Sequence, residues 1–243
     1  MRLMRFLSRW TSRRRAKLSH ANALARLVAA GFAPRVVYDV GAYRGGWSKA
    51  AAEVLPPATF ILFEANADNA PYLAETGHRY FITALSDKDT AERQLFLPRT
   101  GDSTGSSLYI ENTSHYASDN LQVRNVPTRR LDSVIAAHGL APPDLMKIDV
   151  QGAELDVMQG ATEALAAASA VILETSFVNY NKDAPLIADI FGAVDRLGLR
   201  CIDVCELHRT SAGFATQMDL LFVKGNLFEK FCAQAGVFGK SPQ

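Results

Sequence analysis

An acid followed by spaced glycines, Asp39-Val40-Gly41-Ala42-Tyr43-Arg44-Gly45, comes after the apolar residues Val36, Val37 and Tyr38. The β-branched run reads as a buried parallel strand, so the loop falls at its carboxyl end, where open α/β sheets bind ligands. Gly41 lets the chain turn sharply off the strand and leaves no Cβ to hold a ligand away. A second strand, Thr59 to Phe63, ends in Glu64. A carboxylate there offers two acceptor oxygens to the two hydroxyls of a ribose. Other nucleotide signatures do not match. A dinucleotide fingerprint needs glycine where Tyr43 stands, and a P-loop needs Lys-Ser/Thr where Gly46-Trp47 follow Gly45. A purely structural βαβ turn is the alternative for the loop taken alone.

Further carboxylates fall at further strand ends. Leu145–Ile148 reads as a strand that delivers Asp149 to the sheet edge holding Gly41 and Glu64. Glu154 would open the next helix, where negative charge favours the helix dipole. Ala170–Thr175 is a strand carrying Glu174 near its end, and His208 lies in the loop Cys205–Thr210. Asp149 is the first candidate to take a proton from an acceptor, with Glu154, Glu174 and His208 behind it. Asp149 and Glu174 are also suitable ligands for Mg²⁺. Glu154 as a helix cap, Glu174 as a holder of loop amides and His208 as a surface residue are the structural alternatives. His115 reads as solvent-exposed, and His20, His78 and His138 as solvated positions.

The elements that must position these groups alternate helix and strand. Helices are expected over 20–31, Trp47–Leu55, Asn66/Asp68 to Gly77, Leu131–His138, Leu155–Ala168 and Pro185–Leu197. Strands are expected over Arg79–Leu85, Arg200–Val204 and Met218–Lys224, besides those above. No helix separates the last two, so the final strand must pair antiparallel or leave the sheet. Between about 90 and 130 the alternation fails; short strands at Gln94–Pro98 and Gln122–Val126 flank a Ser/Gly-rich stretch. Such an insertion beside a ligand site is usually functional or mobile rather than filler.

At 243 residues the chain can bury one large α/β core. Its net charge of +1 is unevenly spread: residues 1–34 carry eight Arg and Lys and no acid, which leaves −7 for the rest. Arg2, Arg5 and Arg9 interleaved with Leu3, Met4, Phe6, Leu7 and Trp10 form a basic amphipathic segment. It suits an anionic membrane surface, or packing on the domain or a second subunit, and is too short and charged to span a bilayer. The acidic body argues against nucleic acid. Cys201, Cys205 and Cys232 form no Cys-x-x-Cys pair; the first two read as small core hydrophobes, and the cytoplasm, with the inner membrane face as an extension, fits a chain without a disulfide framework.

Taken together, Tyr38–Ala42 with Gly45, Phe63-Glu64, Ala84–Asp87, Gly105–Leu108 and Lys147-Ile148-Asp149-Val150-Gln151-Gly152-Ala153-Glu154 resemble the FkbM-type methyltransferase family. The Lys-Ile-Asp-x-x-Gly-Ala-Glu string is the specific part, and the family more often has Glu where Gln151 stands. The resemblance implies a Rossmann-like class I methyltransferase α/β sheet, mostly parallel with an antiparallel last strand. Residues 35–225 would form the methyltransferase domain with 90–130 as its substrate-side insertion, preceded by a basic helical extension (1–34) and followed by a tail (226–243). It also implies S-adenosylmethionine, with Asp39, Gly41, Ala42 and Gly45 around its methionine part, Glu64 and Ala65 at the ribose, and Ser86 and Asp87 beside adenine. Asp149 would hold the methionine amine if it is not the base. The implied reaction is O-methylation of a hydroxyl on a sugar, glycolipid, polysaccharide or related natural product, with or without Mg²⁺. A catalytically inactive binding or assembly module is the alternative function.

Overall fold

The computed structural model describes residues 17–99, 105–112 and 118–236. The basic segment 1–16 and His115 lie outside the described residues. Ten strands are described: β1 (Val36–Val40), β2 (Thr59–Glu64), β3 (Arg79–Ile82), β4 (Ala84–Leu85), β5 (Thr90–Pro98), β6 (Leu121–Arg129), β7 (Leu145–Ile148), β8 (Ala170–Ser176), β9 (Leu199–Arg209) and β10 (Ala215–Lys224). The helices are α1 (His20–Ala29), α2 (Gly46–Ala52), α3 (Ala70–Ala74), α4 (Leu131–His138), α5 (Glu154–Gly160), α6 (Thr162–Ala167), α7 (Ile187–Arg196) and α8 (Gly225–Gln234).

Seven strands form the main sheet in the order β3-β2-β1-β7-β8-β10-β9. All neighbours pair parallel except β10, which runs antiparallel to both β8 and β9. This is the mixed α/β sheet that the sequence implies. The chain fills one half of the sheet through β3 and the other from β7, so the order reverses between β1 and β7. Ligands of open α/β sheets gather at such a switch point, and the loops bearing Gly41 and Asp149 both leave from it.

Alternate strand residues feed two cores. Tyr38, Val40, Phe63, Met146, Ile148 and Leu173 pack with α4–α7, whereas Val37, Leu62, Leu145, Ile172 and Leu221 pack with α1–α3 and α8. That is a three-layer arrangement whose apolar burial drives the fold. Residues 226–234, read from sequence as tail, belong to α8, which buries Leu227 and Cys232. Cys205 is buried as expected, but Cys201, on the sheet's edge strand β9, is exposed. Among the described residues no helix is long and apolar enough to cross a membrane.

The insertion holds a second sheet, β4-β6-β5. Its hairpin strands are longer than expected, nine residues each, because they pair with one another over their whole length. The expected strand 79–85 divides accordingly: β3 stays in the main sheet and β4 joins β6. Ser107 ties the insertion down, exchanging two backbone hydrogen bonds with Phe96 and donating its hydroxyl to the Gln151 carbonyl at 2.6 Å.

The expected helix 155–168 breaks at Ala161 into α5 and α6. Asp132 of α4 causes the break, since its carboxylate accepts from the Glu163 and Ala164 amides and the Thr162 hydroxyl at 3.0–3.1 Å. These are orphan donors of a new helix start, capped across 30 residues of sequence. Asp132→Ala is therefore expected to cost about 1–2 kcal/mol of unfolding free energy, read from the denaturant midpoint at unchanged slope.

Candidate functional site

Two hollows meet at the carboxyl edge of β1 and β7. The first is the more enclosed of the two. Its floor and walls are apolar, from Val40, Phe63, Leu85, Leu95 and Leu108, and Glu64 supplies the carboxylate. The second, a more open cleft of about 1120 Å³, is polar and carries Lys147, Asp149, Gln151, Glu174, His208 and Asp219. Gly41, Tyr43 and Asp149 line both, so the two hollows adjoin there.

The glycine loop is fixed by backbone contacts. Gly41 and Ala42 both donate to the Phe63 carbonyl, at 2.9 and 3.0 Å. Gly41 has φ +80°, and a Cβ on it would lie 1.7 Å from the Asp149 carbonyl oxygen. Only glycine lets the loops after β1 and β7 approach this closely. Gly45, also left-handed, accepts from the Lys49 amide and opens α2.

Glu64 is 6% exposed, and its two oxygens accept from the Asn66 and Tyr43 amides at 2.7 and 2.8 Å. Burial raises its pKa to about 7, against the opposing pull of those amides. The Glu64 carboxylate lines the first hollow. Asp39 is fully buried and lines neither hollow; it accepts from the Ser48 hydroxyl at 2.6 Å and so braces α2. Ser86 and Asp87 also stand behind the wall that Thr83, Ala84 and Leu85 present. The Ser86 hydroxyl is taken by Arg93 at 2.8 Å and Asp87 at 3.2 Å.

Asp149 accepts from Lys147 and Gln151, each at 2.8 Å. Burial works against its charge, but the Lys147 ammonium outweighs it and holds the carboxyl below its ordinary value. Gln151 sits at φ +55°, strained for a residue with a Cβ, and its amide also reaches Glu174 at 2.8 Å. Burial raises Glu174 well above its usual range, reinforced by the charges of Asp149, Glu154 and Asp219. Glu154 opens α5 as expected, and its carboxylate accepts from the Val150 and Gly152 amides at 3.0–3.1 Å. That holds the turn following Asp149 in shape.

The structure thus brings Gly41, Glu64, Ala65 and Asp149 to the first hollow, and Gly41, Ala42, Asp149, Glu174 and His208 to the second. Asp39, Ser86, Asp87 and Glu154 support from behind. Two cleft residues escape a sequence reading. His20 is not solvated: it bonds to Asp219 at 2.7 Å and accepts from the Trp47 indole at 3.1 Å. Asp219 is an acid within the apolar strand Met218–Lys224, and that anomaly was its available signal.

The apolar walls offer a flat base a surface to lie against, and the Glu64 carboxylate can accept from hydroxyls. The family model described as the methyltransferase FkbM domain matches residues 39–201. The chain is 32% identical over 144 residues to the 2-O-methyltransferase NoeI of Sinorhizobium fredii, covering 54% of this chain and 58% of NoeI. It is 35% identical over 106 residues to the AMB antimetabolite synthetase AmbE of Pseudomonas aeruginosa, covering 42% of this chain and 5% of AmbE. The chain thus spans little more than half of the one relative and a small part of the other. Among solved structures it is similar to the magnesium protoporphyrin IX methyltransferase ChlM of Synechocystis with bound S-adenosylmethionine, at TM-score 0.49 and 12% identity, covering 84% of this chain and 77% of that one. It is also similar to the O-methyltransferase TomG of Streptomyces achromogenes, at TM-score 0.43 and 16% identity, covering 83% and 78%. With the family model matched over most of the sheet, from β1 to β8, the chain belongs to the methyltransferase FkbM domain family.

Proposed function

We propose that the protein is an O-methyltransferase acting on a hydroxyl of a sugar, glycolipid or related hydroxylated natural product. One observation carries the reading: an apolar hollow with a carboxylate at its wall adjoins, at Asp149, a cleft lined by side chains that donate or accept hydrogen bonds. Such a cleft suits an acceptor rich in hydroxyls. The resemblance to a 2-O-methyltransferase supports oxygen as the atom methylated. The net −7 of residues 35–243 opposes a polyphosphate acceptor.

Bound S-adenosylmethionine supplies an electrophilic methyl group for in-line displacement, and the chain's own residues place the two reactants. Glu64 would hold the ribose, Leu85 and Leu95 the adenine, and Gly41 the close approach of backbone to ligand. Asp149 would accept the hydrogen bond of the incoming hydroxyl, so that a lone pair faces the methyl carbon. Lys147 and Gln151 fix that carboxylate, and Glu154 fixes the turn that carries it.

Calorimetric titration with S-adenosylhomocysteine tests the cofactor half, and transfer of labelled methyl to a panel of sugars and glycolipids tests the acceptor half. Glu64→Ala should abolish binding. Ionised Glu64 accepts ribose hydroxyls and protonated Glu64 does so poorly, so affinity should fall as pH drops through about 7. The dissociation constant should be about tenfold weaker at pH 6 than at pH 8, because only about a tenth of the carboxyl is ionised one unit below its pKa. Binding that is flat over this range would remove Glu64 from the ribose, and labelled product from amines alone would overturn the hydroxyl acceptor.

A further inference from the structure

Three carboxylates stand in one row across the antiparallel half of the sheet. Asp219 of β10 is directly opposite Glu174 of β8 on one side and Glu206 of β9 on the other. Carboxylates placed directly opposite one another repel when ionised, and a cation bound among them would relieve that. His208, two residues along β9, projects from the same face, opposite Gln217. Irregularities of register at Ala215/Gln217 and at Asp219/Leu220 bracket the pair, a device that re-aims side chains beside sites. Ligand atoms of Glu174, His208 and Asp219 lie within 4.8 Å of one another. Two ligands at about 2.1 Å from one ion stand at most about 4 Å apart, so less than an ångström of closure completes the set.

One buried atom points the same way. Asp219 is 4% exposed and lines the cleft, yet its Oδ1 has no partner among the described residues. A partnerless buried carboxylate oxygen costs free energy unless something fills the space before it.

A second trio, His20, Glu206 and Asp219, is equally close but has no free imidazole. Trp47 can only donate, so His20 Nδ1 must accept, its proton sits on Nε2, and Nε2 donates to Asp219 Oδ2. His20 therefore acts as an outer support that orients Asp219 and leaves Oδ1 for a ligand. We propose that Glu174, Asp219 and His208 form a binding site for one divalent cation on the floor of the polar cleft, with His20 and Trp47 as its outer support. Two carboxylates and an imidazole suit Mn²⁺ or Zn²⁺ better than an all-oxygen Mg²⁺ site. The site stands apart from the choice of acceptor. Its service to the reaction, polarising the acceptor hydroxyl and neutralising the carboxylate row, rests on the hydroxyl-acceptor reading.

The test uses the full chain, stripped with a chelator and titrated with Mn²⁺, with the free ion followed by electron paramagnetic resonance. One Mn²⁺ per chain is expected, with affinity weakened more than about tenfold in both His208→Ala and Glu174→Gln. His208 is exposed, so its truncation leaves the core untouched. Wild-type Tm should rise at saturating Mn²⁺, and that rise should vanish in His208→Ala. S-adenosylhomocysteine titration of the same variants supplies the control; unchanged cofactor affinity shows that the weakened Mn²⁺ binding is local. Absence of stoichiometric binding to the wild type, or binding indifferent to both substitutions, overturns the site. Failure of every hydroxylated acceptor would leave the Mn²⁺ result standing, so the two readings fail separately.

Discussion

Replacing Asp149 with asparagine is expected to lower kcat by about 10²–10⁴-fold, the range for loss of a positioned proton acceptor, with S-adenosylhomocysteine affinity changed by only a few-fold. The expectation follows from where β7 ends. Asp149 stands on the wall shared by both hollows, so under the proposed function it would lie beside the path of the methyl group. It is held at 2.8 Å by Lys147 and by Gln151, and Lys147 keeps it ionised through the working pH range. Its low basicity suits a hydrogen-bond acceptor that orients the hydroxyl and takes the proton as the new C–O bond forms. Asparagine keeps the volume and one acceptor oxygen but presents an amide donor beside Lys147 or Gln151, both donors already. The competing role is separable. Had Asp149 bound the methionine amine, the variant would bind S-adenosylhomocysteine poorly while turning over normally at saturating cofactor. A normal kcat would remove it from the chemistry.

What sequence could and could not disclose about this site follows from range. The strands Val36–Val40 and Leu145–Ile148 and the helix Leu131–His138 stand as their local patterns predict, because β-branched runs and apolar spacing act within a few residues. Gly41, Glu64 and Asp149 were legible because a strand end dictates where each must lie. The break between α5 and α6 was not, since Asp132 makes it from 30 residues away. Nor was the second sheet, whose strands find partners only after the hairpin closes over a polar stretch. His20 and Asp219 are 199 residues apart, and no spacing rule joins them. Their meeting depends on α1 packing against the antiparallel end of the sheet. Gln151, where the family more often has Glu, acquires a reason here: its amide is the donor between Asp149 and Glu174, a place where a third carboxylate would add repulsion.

The same charge balance makes Lys147 the most exacting residue of the core. It occupies the middle of β7, 5% exposed, directly opposite Asp39 of β1 and bonded to Asp149. Burial alone would depress an ammonium, but Asp149 and Asp39 outweigh it and hold Lys147 above its ordinary value, so it stays protonated at any working pH. Lys147→Met preserves length and apolar stem and removes only the charge. Breaking a buried pair from one side leaves the other ion uncompensated, at a cost of about 3–5 kcal/mol near neutral pH. The lower end applies here, as the Asp149 side chain is 26% exposed to the cleft. The pH dependence gives the cause away. In the wild type Asp149 is depressed, so its contribution is present above the unfolded carboxyl pKa and is lost as pH falls through the folded one. Without the ammonium, Asp149 is raised instead and Asp39, already raised by burial, is raised further, so the folded state takes up protons before the unfolded one does and the variant recovers stability as pH falls. The gap between variant and wild type, measured by urea unfolding, should therefore be largest near pH 8 and shrink toward pH 5. Adding Asp149→Asn to Lys147→Met should restore part of the loss, as expected for a coupled pair. An equal deficit at both pH values, with no rescue by the second substitution, would mean that Lys147 serves the core through its stem and not its charge.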